Sequence, residues 1–340
     1  MIKVALIGAA GYTAKEFLEL ITRHQYLELD SIVSDSLTEG TTINSIWPRL
    51  SNRIEKKVQK KLSNKVDVAV LAKSTIESQK YAVDLLDQGI RVVDLSAAFR
   101  LKDVRIYEKT YGESHRAKDL LVDAVYGMPE IHRINIREAN LIANPGCYAT
   151  SVILGSYPLV LHKIINTKNI NVSAYSGISG AGIRDSDPSY LFVERNENIT
   201  PYKILVHRHV SEINQELSSA SGSQISIAFV PHLAPLSQGI SSTIFLEPNH
   251  LSNKITATKI HQLYEKFYAN EPFVRVLPLE QIPSISNVVS TNYCDIGIFY
   301  SNELGKIVIS SVLDNMVKGA VGQAIQNINI MFGLEEKTGL

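Results

Sequence analysis

The sequence predicts two domains, an α/β domain with a parallel sheet and then an α+β domain with a mixed or antiparallel sheet. Three observations lead to this fold class. The chain has 340 residues, more than a single hydrophobic core usually supports. Short apolar runs alternate with helical patterns in its first part, which is typical of a parallel sheet covered on both faces. After Cys147, strand-like segments follow one another with few helices between them, which is typical of a mixed or antiparallel sheet.

The first part of the chain gives its elements by apolar periodicity. Residues 2–7 form an apolar run that Gly8 ends, and apolar positions at helical spacing follow within 11–24. Further strands are predicted at 29–34, 66–71 and 92–95, with a helix at 76–88 between the last two. We therefore expect a doubly wound domain.

The second part begins with a helical stretch at 149–160. Apolar and β-branched segments then predict strands at 170–176, 224–230, 239–246, 292–299 and 305–313. The chain ends in a long segment, 315–332, that we interpret as an amphipathic helix.

The charge balance argues against a nucleic-acid partner. Lys+Arg and Asp+Glu are equal at 34 each, whereas nucleic-acid binders usually carry a basic excess. The most basic run, 53–65, is interpreted as a solvated helix or loop face. A chain without net charge lacks the self-repulsion that keeps monomers apart, which favours an oligomer.

We expect a cytoplasmic protein without membrane contact. No apolar stretch approaches the roughly 20 residues that span a bilayer, and Met1 leads into the first strand without the features of a signal peptide. The two cysteines, Cys147 and Cys294, lie far apart in the chain, which suits a reducing compartment.

A glycine turn at the end of the first strand predicts a dinucleotide site. The segment GAAGYTA starts at Gly8, follows an apolar strand and opens a helical pattern. Glycine permits a tight turn and close approach of a pyrophosphate, and the first amides of the helix hold the anion. This context favours a Rossmann-type nucleotide-binding domain over a plain strand–helix turn.

The residues after the second strand bear on the choice between NAD and NADP. An acidic residue at this place usually binds the ribose hydroxyls of NAD, whereas hydroxyl or basic groups accommodate the phosphate of NADP. Ser34 and Ser36 favour NADP and Asp35 argues for NAD, so the residues leave both cofactors open.

Cys147 is the predicted nucleophile. It follows the turn Asn144-Pro145-Gly146 and opens a helical pattern, and a helix N-terminus favours the thiolate. A thiolate can attack an activated acyl carbon and hold it as a thioester. Cys294 lies inside a strand pattern and is interpreted as a small buried residue.

The segment His207-Arg208-His209 offers an acid/base partner for that thiolate. Glu212 lies one helical turn after His209 and could hydrogen-bond to it, which would fix the tautomer of the ring. Arg208 could pair with a carboxylate or phosphate of the substrate. We predict no metal site, because no cysteine or carboxylate cluster completes one around the two histidines.

A second glycine-rich loop, 176–182, follows a predicted strand of the second domain. Its exposed amides could line an anion or close on a nicotinamide, although the pattern also suits a plain connection.

Taken together, these segments resemble the N-acetyl-gamma-glutamyl-phosphate reductases, relatives of aspartate-semialdehyde dehydrogenase. The matching segments run nearly end to end. They are GAAGYTA at Gly8, VVDLSAAFRL at Val92, AVYGMPEI at Ala124, ANPGCYAT at Ala143, SGISGAG at Ser176, HRHVSEI at His207 and DNMVKGAVGQAIQNINIMFGLEEKTGL at Asp314.

The resemblance implies an NADPH-dependent reduction of an acyl phosphate to a semialdehyde in arginine biosynthesis, through a thioester on Cys147. It implies that His209 or His207 is the acid/base, with Glu212 beside it, and that Arg208, Ser179 and Asn144 bind substrate. The residues expected to bind NADP(H) are Gly8, Ala10, Gly11, Tyr12, Thr13, Ser34, Ser36, Ser96, Gly180, Gly182 and Asn315. The implied domains are a Rossmann domain of 1–146 and 315–340 and a dehydrogenase-type catalytic and oligomerisation domain of 147–314, in a homodimer or homotetramer.

Two departures from the family pattern bear on the cofactor. Family members commonly carry Leu-Pro-His-Gly after the strand that ends near Leu71, where this chain has Ala72-Lys73-Ser74-Thr75. Asp35 also replaces the more usual serine or basic residue. Four alternatives stay open, namely aspartate-semialdehyde dehydrogenase, the amino-adipyl phosphate reductase of lysine biosynthesis, an N-succinyl substrate and an NADP-binding protein without turnover. The segment at His207 and the C-terminal segment argue against the first of these. Tyr148 and the loop 176–182 favour the arginine branch.

Overall fold

The computed structural model describes residues 1–63, 65–183, 191–249 and 255–340. The chain divides into two compact units, one of Met1–Pro145 with Ala320–Leu340 and one of Gly146–Gly319. The chain re-enters the first unit at Ala320, whereas the sequence-based boundary was residue 315. Among the described residues, no helix has the length and the apolar character that crossing a bilayer requires.

The first unit is built on a parallel sheet. Its described strands are β1 (Ile2–Ile7), β2 (Leu27–Val33), β3 (Val58–Gln59), β4 (Val68–Leu71), β5 (Arg91–Asp94), β6 (Val125–Tyr126) and β7 (Leu141–Ala143). They lie in the order β3-β2-β1-β4-β5-β7-β6, and each neighbouring pair is parallel. All four residues of β4 are buried, as expected for a strand covered on both faces. The prediction of a Rossmann-type α/β domain is confirmed.

Helices lie between these strands along the chain. They are α1 (Tyr12–Ile21), α2 (Ile43–Ile46), α3 (Thr75–Leu86), α4 (Val104–Tyr111), α5 (Leu120–Asp123) and α6 (Pro129–Glu138). A capping box starts α3, because the Ser74 hydroxyl accepts the backbone N–H of Glu77 while the Glu77 carboxylate accepts the N–H of Ser74. At the start of α1, in contrast, Gly11 supplies no side-chain cap.

The basic run 53–65 differs from the sequence interpretation. It contains the short strand β3, which pairs with the end of β2 and buries Val58. Lys60 is also engaged, since its Nζ donates to the backbone carbonyls of Asp35 and Leu37. The run therefore completes one edge of the sheet and holds the loop after β2, in addition to carrying exposed lysines.

The second unit contains a mixed sheet. Its described strands are β8 (Asn171–Ser176), β9 (Thr200–Pro201), β10 (Ala228–Leu233), β11 (Ile240–Leu246), β12 (Val274–Val276), β13 (Cys294–Ser301) and β14 (Lys306–Leu313). They lie in the order β12-β13-β14-β11-β8-β10-β9. The central pairs β8–β11, β11–β14 and β13–β14 are antiparallel, whereas β8–β10 and β12–β13 are parallel. This arrangement confirms the predicted α+β domain with a mixed sheet.

One face of this sheet carries a buried helix. The described helices of the unit are α7 (Cys147–Leu161), α8 (Phe192–Arg195), α9 (His209–Ser221) and α10 (Ala257–Tyr268). Nearly all of α7 is buried, because it packs against β11, β14 and α9. The core of the unit therefore fixes the position of Cys147, the first residue of α7.

The C-terminal segment is the clearest correction in the fold. A π-helical turn, Val317–Val321, leads into α11 (Gly322–Met331), and α11 is buried on every side. The predicted amphipathic character is wrong, since the polar positions of α11 bond inside the protein. Gln323 and Asn327 both donate to the carbonyl of Gly127, and Asn329 donates to the carbonyls of Glu336 and Thr338. Polar residues at helical spacing therefore meet hydrogen-bond partners inside the protein here.

Candidate active site

Cys147 is the first residue of α7. Gly146 is its N-cap, in extended conformation, and no side chain caps the first backbone N–H groups of α7. The side chain of Cys147 is partly exposed, whereas Cys294 is fully buried in β13. The two cysteines are thus placed as the sequence predicted, and the helix N-terminus favours a thiolate on Cys147.

His209 lies directly against the turn that precedes Cys147. A Cβ placed on Gly146 would be 2.5 Å from Nε2 of His209, so only glycine leaves room for the ring. His209 is itself the first residue of α9 and is buried. The nucleophile and the predicted base therefore begin two packed helices of one unit, with one glycine between them.

Glu212 connects the same two segments. It is fully buried, and its Oε2 accepts the backbone N–H of Gly146 at 2.9 Å. Its Oε1 is 3.9 Å from Nε2 of His209, longer than a hydrogen bond. His209 and Glu212 are thus close neighbours, and the Glu212 carboxylate hydrogen-bonds to the nucleophile turn.

His207 occupies an aromatic enclosure. Its ring meets those of Tyr148, Tyr202 and Phe229 edge to face, at centroid distances of 5.5–5.6 Å. Its Nδ1 accepts the backbone N–H of His209 at 3.2 Å. Burial, with smaller contributions from Arg208 and Lys203, lowers the pKa of His207 to about 3. The ring is therefore neutral at physiological pH and orients the start of α9.

Arg208 differs from its two histidine neighbours because its side chain is exposed. It precedes α9 as the N-cap residue. A solvent-facing guanidinium can meet an anionic group by a bidentate contact.

The glycine-rich loop 176–182 is fixed by Asn315. The Asn315 amide donates to the Ser179 hydroxyl at 3.0 Å, and its Oδ1 accepts the backbone N–H of Gly239 at 2.7 Å. A Cβ on Gly180 would be 3.4 Å from the same amide, and Gly182 adopts φ +75°. Ser179, Gly180 and Asn315 are thus brought together, with the Asn315 side chain bonded within the unit.

Two residues of this site were not predicted. A Cβ on Gly319 would be 2.8 Å from Cβ of Cys147, so a second glycine packs against the nucleophile. Tyr148 donates its hydroxyl to the carbonyl of His232 and accepts from Tyr202, and burial raises its pKa. Tyr148 follows Cys147 and was visible in the sequence, but the packing of Gly319 depends on residues far apart in the chain.

In the first unit, the glycine turn has the form of a phosphate cradle. Gly8 adopts φ +97°, and a Cβ there would be 2.3 Å from the carbonyl oxygen of Ala72. At Gly11 an added Cβ would meet nothing within 4 Å, so space is open at the start of α1. Ala10 and Thr13 are partly exposed and Tyr12 is exposed. Open space beside uncapped helix amides fits a pyrophosphate group.

Four other predicted binding residues bond inside the first unit. Ser96 donates to the Asp94 carboxylate at 2.7 Å, and Ser34 and Ser36 share a hydroxyl contact of 3.3 Å. Asn144 is buried, donates to the carbonyl of Ala320 and accepts from Asn327. The side chain of Asn144 is therefore held within the first unit. In the described ranges, no cluster of three or more His, Cys, Asp or Glu side chains could hold a metal ion.

Two family comparisons match nearly the whole chain. Residues 3–139 match the family described as "Semialdehyde dehydrogenase, NAD binding domain", and residues 147–315 match "Semialdehyde dehydrogenase, dimerisation domain". Proteins named N-acetyl-gamma-glutamyl-phosphate reductase from Desulforudis audaxviator and Geobacter sp. (strain M21) are 40% and 43% identical to this chain, over all of it and 98% of each relative. The chain belongs to the N-acetyl-gamma-glutamyl-phosphate reductase family.

Solved structures agree on the fold of this reductase family member. Aspartate semialdehyde dehydrogenase II of Vibrio cholerae, complexed with ASA, is similar with a TM-score of 0.74 at 17% identity, over 98% of both chains. The aspartate semialdehyde dehydrogenase of Candida albicans, solved with NADP, has a TM-score of 0.73 at 16% identity, also over 98% of both. At such identities the likeness concerns the fold alone.

Proposed function

We propose that this protein reduces N-acetyl-L-glutamyl 5-phosphate to N-acetyl-L-glutamate 5-semialdehyde and phosphate, with NADPH as the reductant, in arginine biosynthesis. The observation that carries the proposal is the placement of Cys147 at the start of α7 with the His209 ring packed against Gly146. The relatives at 40–43% identity bear the name of this activity, which supports the choice of substrate.

In the first step, the Cys147 thiolate attacks the acyl carbon of the acyl phosphate. A carbon–sulfur bond forms, the bond from that carbon to the phosphate oxygen breaks, and phosphate leaves with the electron pair. The uncapped N–H groups of α7 stabilise the charge that develops on the carbonyl oxygen. Arg208, which is exposed beside the site, attracts the anionic groups of the substrate.

In the second step, the thioester becomes an aldehyde and the thiolate is restored. NADPH, when bound, supplies the hydride for this conversion. We assign to His209 the proton that the Cys147 thiol releases when it forms the attacking thiolate, because Nε2 of His209 faces the residue before Cys147 and Glu212 lies 3.9 Å away. The neutral, enclosed His207 supports His209 through its backbone N–H.

The first unit supplies the residues that would hold NADPH. Gly8 and Gly11 leave room for the pyrophosphate, and the amides at Tyr12 and Thr13 open α1. The solved relative from Candida albicans contains NADP, which supports the same cofactor class here.

We also infer a cytoplasmic homodimer. The match to a dimerisation domain covers the second unit, and one face of its sheet stays partly exposed. On that face Phe245, Val308 and Phe299 are register partners on neighbouring strands, so a second copy would cover a continuous apolar row. The two cysteines, Cys147 and Cys294, lie far apart in the chain, which suits a reducing compartment.

The testing experiment runs the reaction in its phosphorylating direction. NADPH formation is followed from N-acetylglutamate semialdehyde with phosphate, in parallel with the N-succinyl and aspartate semialdehydes. We expect turnover on an N-acylglutamate semialdehyde that disappears in Cys147→Ala. Turnover on aspartate semialdehyde alone, or turnover that survives Cys147→Ala, would contradict the proposal. Tight NADPH binding with no turnover on any of the three would favour the amino-adipyl substrate or a non-catalytic protein.

A further inference from the structure

An ionic cluster follows strand β2, at the place where dinucleotide folds contact the adenosine ribose. Nζ of Lys73 is 2.8 Å from Oδ2 of Asp35 and 2.7 Å from Oε1 of Glu77. The hydroxyl of Tyr81 donates to the same Asp35 carboxylate at 3.2 Å. The Lys73 side chain is only 10% exposed, whereas that of Asp35 is 53% exposed.

Lys73 also lies beside the glycine turn. A Cβ on Gly8 would be 3.0 Å from Cδ of Lys73 and 2.3 Å from the carbonyl oxygen of Ala72. The loop from β4 to α3 therefore runs against the turn after β1, and the Lys73 stem continues from there to Asp35. The capping box of Ser74 and Glu77 fixes the start of α3, so the position of the second carboxylate is also set.

The charges of this cluster determine whether the site can bind a ribose 2′-phosphate. A carboxylate after the second strand normally favours a free ribose hydroxyl and repels the 2′-phosphate of NADP. Here the Lys73 ammonium holds the pKa of the Asp35 carboxyl below its usual range. The carboxylate therefore stays ionised and paired with Lys73. Lys60 adds a second cation, bonded to the backbone carbonyls of Asp35 and Leu37.

We propose that Lys73 is the residue that adapts this site to a 2′-phosphate, because it holds Asp35 against α3 and pairs with its charge, leaving the exposed Ser36 and the partly exposed Lys60 to face the phosphate. The proposal rests on the proposed function only in taking the glycine turn as the dinucleotide site. Lys73 acts here through Asp35, as a positioning residue for cofactor choice. Loss of Lys73 would release the carboxylate toward the ribose.

The test compares 2′,5′-ADP with 5′-AMP, which differ only in the 2′-phosphate and require no turnover. Binding is followed by calorimetry and by the fluorescence of Trp47, the one tryptophan of the chain, whose Nε1 donates to the carbonyl of Ala9 in the glycine turn. We expect the intact protein to prefer 2′,5′-ADP. In Lys73→Met this preference should fall about tenfold, as like charges come to face each other.

The decisive variant is the pair Lys73→Met with Asp35→Asn. If Lys73 acts through Asp35, removal of the carboxylate restores the preference to within about threefold of the intact protein. Lys73→Arg, which keeps the charge, should retain the preference, and Lys109→Met, an exposed lysine on α4, is the matched control. Should Lys73→Met leave the preference unchanged, or the double variant fail to restore it, the inference is overturned.

These outcomes separate the inference from the proposed function. If neither nucleotide binds the intact protein, the dinucleotide site itself fails, and with it the proposed reductase. If both bind and the preference ignores Lys73, the reductase stands and only the role of Lys73 is lost. Melting temperatures of each variant show whether a lost preference reflects a lost fold.

Discussion

The backbone N–H of Gly146 donates to Oε2 of Glu212 at 2.9 Å, across 66 residues of sequence. Glu212 is fully buried on α9, and Gly146 is the residue before the nucleophile. The same carboxylate lies 3.9 Å from Nε2 of His209. The Glu212 carboxylate thereby both fixes the nucleophile turn and faces His209. Its hydrogen bond to Gly146 and its charge near His209 are therefore two effects that different substitutions can separate.

Replacement of Glu212 should separate these two effects. Glu212→Gln keeps an oxygen that can accept from Gly146 but loses the charge, and we expect kcat to fall about 10-fold with an unchanged melting temperature. Glu212→Ala also leaves the Gly146 N–H buried without its acceptor, so stability should fall by about 1–3 kcal/mol as well. Steady-state kinetics and thermal unfolding of both variants measure the difference.

The exposed Glu265 of α10 provides the control, because it also has a histidine neighbour, His261. Glu265→Gln makes the same chemical change on a helix that carries no predicted site residue. We expect its kcat to match that of the intact protein. Equal losses of stability in Glu212→Gln and Glu212→Ala would show that the amide cannot replace the carboxylate at Gly146, which would contradict the separation.

Gly146 should tolerate no side chain. The Cβ of Gly146→Ala would come 2.5 Å from Nε2 of His209, so the ring must move from its place beside Cys147. We expect kcat to fall about as far as in His209→Ala, on the order of 10²-fold, with binding of 2′,5′-ADP unchanged. The double variant should be no worse than His209→Ala alone, because the two changes remove one interaction. A multiplicative loss in the double variant would show that Gly146 acts by another route.

The sequence predicted those features that are local in the chain. The glycine turn, the start of α7 at Cys147 and the strand–helix alternation each depend on neighbours within a few residues, and each was found. Gly319 against Cys147, and the hydrogen bond from Gly146 to Glu212, depend on segments that only folding brings together. No local pattern reveals such contacts, because the spacing along the chain carries no information about them.

The C-terminal helix α11 also shows that a local pattern does not reveal distant partners. The polar residues of α11 follow a helical period, which indicates a solvent face only when no partner meets them. In the structure Asn327 finds the carbonyl of Gly127 and the amide oxygen of Asn144. Periodicity predicted the helix correctly and its environment wrongly, since the partners lie about 200 residues earlier.

Asn327 should therefore behave as a buried polar residue. Asn327→Ala removes two hydrogen bonds, at 2.9 Å and 3.2 Å, and leaves the oxygen of Asn144 buried with one fewer donor. We expect a loss of about 1–3 kcal/mol in the free energy of unfolding, measured by urea titration. Asn135→Ala, at an exposed position of α6, should change it by less than about 0.5 kcal/mol. Equal effects at the two positions would favour a solvent-facing α11.

The two cysteines should differ sharply in reactivity. Cys147 is partly exposed at a helix start, whereas Cys294 is fully buried with its sulfur 3.4 Å from the Ser311 hydroxyl. We expect Cys147→Ala to lower turnover by at least about 10⁴-fold while nucleotide binding persists. Cys294→Ala should keep full turnover and cost about 1 kcal/mol of stability.

Alkylation provides an independent measurement of the same difference. Iodoacetamide should label Cys147 first, and mass spectrometry of the peptides should show activity loss in step with that label. Modification of Cys294 before Cys147 in the folded protein would contradict the burial of Cys294 and the assignment of the nucleophile.

His207 should make the protein less stable as the pH falls. Its pKa is lowered to about 3, chiefly by burial, whereas an unfolded histidine titrates near 6.5. Between these values the unfolded state binds one more proton, so stability is full above about pH 6.5 and falls by about 1.4 kcal/mol per pH unit below it. From pH 7 to pH 5 the contribution of this group amounts to about 2 kcal/mol.

The variant His207→Gln tests this contribution. A glutamine oxygen can still accept the backbone N–H of His209, as Nδ1 does now at 3.2 Å, but the side chain takes up no proton. We expect its loss of stability between pH 7 and pH 5 to be smaller than that of the intact protein by about 2 kcal/mol. His24 and His115, whose pKa values are also lowered by burial, titrate alike in both proteins and cancel. The pH dependence of kcat/KM gives a second measurement on the same variant. If the fall of kcat/KM at low pH persists in His207→Gln, another group causes it, as the proposed role of His209 requires. If that fall disappears, the acid/base role belongs to His207.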